Sequence, residues 1–109
     1  MPVAGDRDLA TRARLICSLA TLDEMLPGSF VQRKRACGRP NCHCADGKNL
    51  HVQYQLSVLV DGNPKVFHVP ARMVEQVRQQ VAMRHRFDAA AATICDINLR
   101  RFLQQKESP

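Results

Sequence analysis

At 109 residues the chain can build one modest core, and with no tryptophan, one tyrosine and four phenylalanines that core must be mostly aliphatic. No apolar run reaches the ~18 residues that span a bilayer, and Met1-Pro-Val-Ala-Gly-Asp lacks the basic and apolar regions of a secretory leader, so a cytoplasmic protein with no membrane partner is expected. Sixteen basic residues against ten acidic ones leave a formal charge of +6, which says little about fold but favours phosphate-rich partners.

The first predicted element is a helix over residues 6–26. Leu9, Ala13, Ile16 and Ala20 recur at helical spacing, and Leu15, Leu19, Leu22, Met25 and Leu26 form an adjacent stripe. Asp6 or Asp8 is suited to cap its start, and Pro27-Gly28 to stop it. Ser29 to Ala36 is expected to be a short strand. It contains the densest basic run, Arg33-Lys34-Arg35.

Next comes Cys37-Gly-Arg-Pro-Asn-Cys-His-Cys44, with His51 seven residues after the last cysteine. Three thiols and one imidazole make a full tetrahedral set for zinc. The spacing C-x4-C-x-C-x6-H departs from the usual two-residue gap. Cys42 and Cys44 are two apart, so in an extended segment both thiols point one way. Gly38 and Pro40 let the chain fold back to bring Cys37 to them. His43 is an alternative fourth ligand; His51 is preferred, because neighbours at both sides that ligate leave His43 pointing away. The bland reading is three reduced thiols in a tight loop. A cytosolic setting and an odd total of five cysteines argue against a disulfide framework. Cys17 and Cys95, in helical patterns, are expected to be small core residues. Arg39 and Lys48 lie inside the cysteine loop, and with Arg33, Lys34 and Arg35 they form a candidate phosphate-contacting set. An ordinary solvated basic surface is the competing reading.

Leu50, Val52, Tyr54, Leu56, Val58 and Val60 alternate with polar residues, the pattern of a strand with one buried face. Asp61-Gly-Asn-Pro64 is a turn, and Lys65 to Val69 returns as its partner. Pro70 is placed at the first position of a helix running to about Arg86, with Val74, Val77 and Val81 inward. Phe87-Asp88 is read as a break, with Asp88 capping a last helix. There Ala91, Cys95, Leu99 and Phe102 form one stripe, flanked by Ile94, Ile97 and Leu103. That face is wide enough to suggest a homodimer or a protein partner as well as plain core packing.

Catalysis is not expected. The acids Asp46, Asp61, Glu75, Asp88 and Asp96 are scattered over turns and caps, whereas a two-metal nuclease site needs convergent carboxylates. There is no phosphate-cradling glycine loop and no nucleophile elbow. Cys42-His43-Cys44 has one residue between its thiols, where the common redox motif has two. A Cys3His set would leave no open position on zinc, so the metal would be structural.

Gly28-Ser-Phe, Arg35-Ala-Cys-Gly-Arg-Pro-Asn-Cys-His-Cys-Ala45, His51 and Tyr54 resemble a family of small uncharacterised bacterial and archaeal proteins with a CGxxxCxCA loop and a following two-stranded hairpin. Val69-Pro70, the basic step from Arg84 to Phe87, and Asn98 extend the likeness to about Phe102. His51-Val-Gln-Tyr54 departs from it, since the family tends to have Gly-Pro between the histidine and the tyrosine. Members are often associated with transposase genes, which implies an accessory role. The combined expectation is a single α+β domain over 1–109: a helix at 6–26, a cysteine loop and small antiparallel sheet at 29–69, and two helices at 70–105. Its expected role is a zinc-binding module that contacts nucleic acid, DNA ahead of RNA, with a protein–protein adaptor or regulatory subunit as the alternative.

Overall fold

In the computed structural model, which describes residues 5–35 and 51–108, the main elements are α1 (Asp6–Ser18), β1 (Ser29–Arg35), β2 (His51–Val60), β3 (Asn63–Val69) and α2 (Val74–Glu107). Short 3-10 turns follow α1 at Leu19–Thr21 and precede α2 at Ala71–Met73. The class is α+β: an N-terminal helix, a three-stranded antiparallel sheet in the order β1-β2-β3, and one long C-terminal helix. The chain divides into two compact units, Leu26–Val81 and Met1–Met25 with Ala82–Pro109.

In the sheet unit, alternation along β2 sends Tyr54 and Leu56 to one face. Phe30 on β1 and Val69 on β3 share that face, as register partners of Leu56 and Tyr54. They pack with Val77 and Val81 of α2, and Leu26, Met73 and Val74 complete the cluster. The Phe30 and Tyr54 rings stack at 5.5 Å, and the Arg78 guanidinium lies 5.3 Å from the Phe30 centroid. The apolar alternation of β2 is thus only partly buried: Val52 and Val60, near its ends, are exposed. Asp61 and Gly62 both have positive φ, as a two-residue hairpin turn of primed type requires. Pro70 is the extended residue before a 3-10 turn, where the sequence had suggested the first residue of the helix.

In the helical unit, the end of α1 differs from expectation. The α-helix stops at Ser18, eight residues short of Leu26. The Ser18 hydroxyl donates to the Leu15 carbonyl at 2.7 Å and the Thr21 hydroxyl to the Ser18 carbonyl at 2.8 Å. Such bonds three residues back tighten the chain into the 3-10 turn. Nor does an aspartate cap the start. Gly5 is the cap residue, Asp6 lies within the first turn, and Asp8 accepts a hydrogen bond from Arg100 Nη2 at 3.1 Å.

The predicted break at Phe87-Asp88 is absent: one helix of 34 residues takes the place of two. No glycine or proline occurs between Ala71 and Ser108. Asp88 accepts from Arg84 Nε at 3.0 Å, one turn back along the same helix. Its carboxylate is therefore used within the helix instead of capping a new one.

Gly28 has φ +98, and a Cβ there would stand 2.3 Å from the Ser57 carbonyl oxygen and 2.9 Å from Val58 Cβ. Gly62, at φ +81, has open space around its Cα. Gly28→Ala combines backbone strain with a collision against the central strand, and a loss of about 2–5 kcal/mol is expected. Gly62→Ala carries the strain alone, at about 1 kcal/mol. Urea unfolding of both variants checks the order; equal losses would mean that the approach of Gly28 to β2 is not constraining.

Candidate nucleic-acid interface

The register of the sheet decides which predicted residues share a surface. Arg35 pairs with His51, Arg33 with Gln53, Val31 with Gln55 and Ser29 with Ser57 across β1 and β2. Gln55 pairs in turn with His68, and Ser57 with Val66, across β2 and β3. Directly opposed residues have Cβ atoms about 4.5–5.5 Å apart. All of these positions belong to the face opposite the one that carries Phe30, Tyr54, Leu56 and Val69. Arg33 and His68 are exposed, and Gln53 and Gln55 are half-buried.

Lys34 is separated from Arg33 by this alternation. It is exposed, but its register partner is Val52, which places it on the face that α2 packs against. The basic run is therefore two residues on one face and one on the other. Cys37, Cys42, Cys44, Arg39 and Lys48 lie outside the described residues. Among the described residues, no group of three or more histidine, cysteine or acidic side chains comes together.

The electrostatics of the sheet are one-sided. Its three strands, SFVQRKR, HVQYQLSVLV and NPKVFHV, contain no aspartate or glutamate, although the chain has ten. No carboxylate of the strands themselves therefore offsets their cations. Gln53, Gln55 and His68 share this face and were not singled out from the sequence. The signal for them was present: they occupy the same alternate positions as Arg33 and His51 once the hairpin register is known.

The helical unit has two distinct faces. Leu22, Ala90 and Ile97 are buried, while Leu15, Leu19, Ile94 and Leu103 are half-buried. Ile16, Leu99 and Phe102 are more than half exposed. Cys17 and Cys95, expected in the core, are exposed free thiols. The core thus uses the stripe of Leu15, Leu19 and Leu22 and the flanking residues Ile94, Ile97 and Leu103. Cys95, Leu99 and Phe102, read as the principal stripe, point elsewhere. A groove of about 510 Å³ in this unit is lined by Leu15, Leu22, Ala89, Ala90, Ser18, Thr21 and Thr93, with Arg86 its one ionisable residue. Ser18 and Thr21 already donate to backbone carbonyls.

A family model described as Domain of unknown function (DUF6788) matches residues 7–79. The chain belongs to that family. The match begins in α1, takes in all three strands and ends in the first turns of α2. It stops short of the Arg84–Phe87 step and of Asn98, to which the sequence resemblance had extended. Asn98 Oδ1 accepts a hydrogen bond from Arg12 Nη1 at 2.8 Å, a contact within the helical unit. No curated protein and no solved structure matches the chain. Among the described residues, no helix is long and apolar enough to cross a membrane.

The two faces of α2 make a direct test. Ile97, 1% exposed, is expected to cost about 2 kcal/mol or more on truncation to alanine. Leu99, 55% exposed, is expected to stay within about 0.5 kcal/mol. Chemical denaturation of the two variants reads the difference, and equal losses would show that the inward face is wrongly assigned.

Proposed function

We propose that the protein is a small zinc-stapled basic module that contacts nucleic acid through the sheet face bearing Arg33. The observation that carries this reading is the acid-free sheet, with Arg33 and Arg35 at positions on the face opposite the core. Arg39 and Lys48 add charge from the intervening segment. Cations on a rigid strand suit phosphate contact because they need no ordering at the moment of binding. From the resemblance of the Cys37–Ala45 motif, the module is further proposed to serve as an accessory to a transposase or other mobile-element protein.

Zinc is proposed on Cys37, Cys42, Cys44 and His51. Support comes from the Arg35–His51 pair, which closes the segment containing the cysteines. Cys37 is two residues beyond Arg35 in sequence. Thiolate with imidazole is a donor set suited to zinc. The metal would fix the ends of a segment of fifteen residues, 36–50, between two paired strands. In a unit whose described core has three buried residues, Val69, Val77 and Val81, such a staple would contribute to folding.

A second reading, a protein–protein adaptor or a homodimer, is supported by the exposure of Leu99 and Phe102 on α2 and of Ile16 on α1. Salt separates the two: phosphate contacts release counterions and weaken steeply with added salt, whereas an apolar interface does not.

Three measurements follow. Elemental analysis is expected to give one zinc per chain, and Cys42→Ser to lower it sharply. In the metal-bound protein two thiols, Cys17 and Cys95, are expected to react quickly with a thiol reagent, rising to all five after chelation; five fast thiols without chelation would remove the metal from the reading. Arg33→Glu is expected to weaken binding to a mixed-sequence duplex far more than Lys34→Glu at equal salt, because only Arg33 shares the proposed face. Equal effects would mean that net charge alone drives the association.

A further inference from the structure

The face that carries Arg33 holds groups that phosphate contact alone does not need. Gln53 and Gln55 occupy successive same-face positions on β2, the central strand. Neither side chain bonds to any described residue. Arg33 is directly across from Gln53, and Gln55 is flanked by Val31 on one side and His68 on the other. A merely solvated face would accept charges of either sign, yet the strands hold no acid.

The dimensions fit one groove. Two same-face residues on a strand are about 6.8 Å apart. Base pairs in duplex DNA step by about 3.4 Å, so the two amides stand two steps apart and can each address a different pair. Arg33, Gln53 and Gln55 all lie on the β1–β2 pair, two strands ~4.8 Å apart, and the major groove, about 12 Å wide, admits a two-stranded ribbon. A carboxamide can bond bidentately to the N6 and N7 positions of adenine, and a guanidinium to O6 and N7 of guanine. A-form RNA does not offer this surface, because its major groove is deep and narrow. Single strands are held mainly by stacking on exposed aromatic rings, but the aromatic residues of the strands, Phe30, Tyr54 and the exposed Phe67, all belong by register to the opposite face.

From this juxtaposition we propose that the sheet face bearing Arg33, Gln53 and Gln55 enters the major groove of duplex DNA and reads base edges, the glutamines favouring adenine and Arg33 favouring guanine. The inference rests on the nucleic-acid reading above and adds to it the type of nucleic acid and the residues that select sequence.

The test is selection from a random duplex pool by the full chain, followed by binding of the enriched site and of an unrelated duplex at two salt concentrations. Enrichment of a short site containing adenine and guanine is expected. The double variant Gln53→Ala/Gln55→Ala removes no cation, so it is expected to keep the parent's salt dependence. It is expected to lose about 5- to 150-fold of preference for the enriched site per amide removed. The double variant Gln53→Met/Gln55→Met keeps side-chain volume and removes only the hydrogen-bonding groups, so it is expected to show the same loss in a fold that melts as the parent does. Tight, salt-sensitive binding without enrichment, or an enriched site still preferred by the methionine variant, overturns the groove reading and leaves phosphate contact standing. Preference for RNA or single strands over duplex also overturns it. Absence of binding to every strand at low salt overturns both readings together.

Discussion

Antiparallel pairing of β1 with β2 through seven consecutive residues, from Ser29–Ser57 to Arg35–His51, is the constraint on which the sheet unit depends. A slip of one residue would exchange the two faces. Phe30 would leave the core and Ser29 or Val31 would take its place, at the cost of the stacked Phe30–Tyr54 pair. Gly28 sits just before this ladder and approaches the Ser57 carbonyl so closely that a side chain has no room. The register is thus held by apolar packing on one face and by close backbone approach at one end. The proposed metal would hold the other end.

The same pairing sorts chemistry by parity. Even-numbered positions of β1 and β2 supply Phe30, Tyr54 and Leu56 to the core with Val77 and Val81. Odd-numbered positions carry Arg33, Gln53 and Gln55. With a packed core on one side and amides and cations on the other, the candidate groups are positioned by a strand instead of a loop. The charge excess of the chain gains a direction in this way, because the strands contribute bases and amides and no acid.

The strands were legible because their signals are local. Alternation in β2, Asp61-Gly62 at the turn, and the valine spacing after Pro70 each act over a few residues, and each is found in the structure. The helix ends were not legible in the same way. Asp88 looks like a cap when read alone, but Arg84 one turn earlier offers its carboxylate a partner inside a continuing helix. Ser18 and Thr21 shorten α1 through bonds to preceding carbonyls, which periodicity does not reveal. In the two helices apolar residues occur nearly all round, so spacing could not tell Ile97 from Leu99 or Leu15 from Ile16 as the inward residue. The candidate site was partly legible: the basic run was visible, but Lys34 and Arg33 could be assigned to opposite faces only with the register known.

The sheet has three strands, so two of them, β1 and β3, are edges whose outer backbone groups have no neighbour within it. Such edges invite strand addition from another chain, and proteins discourage it with charge and proline. Here β3 carries Pro64 and Lys65, and β1 ends in Arg33-Lys34-Arg35. Charge at that end of an edge strand disfavours pairing with a second copy, whichever face each cation is on. Because this effect works by like-charge repulsion, it weakens wherever a polyanion neutralises it. Crowded on a phosphate lattice, neighbouring copies would lose the repulsion that keeps their sheets apart in free solution, so saturation of the lattice and lateral association of the chains would be coupled.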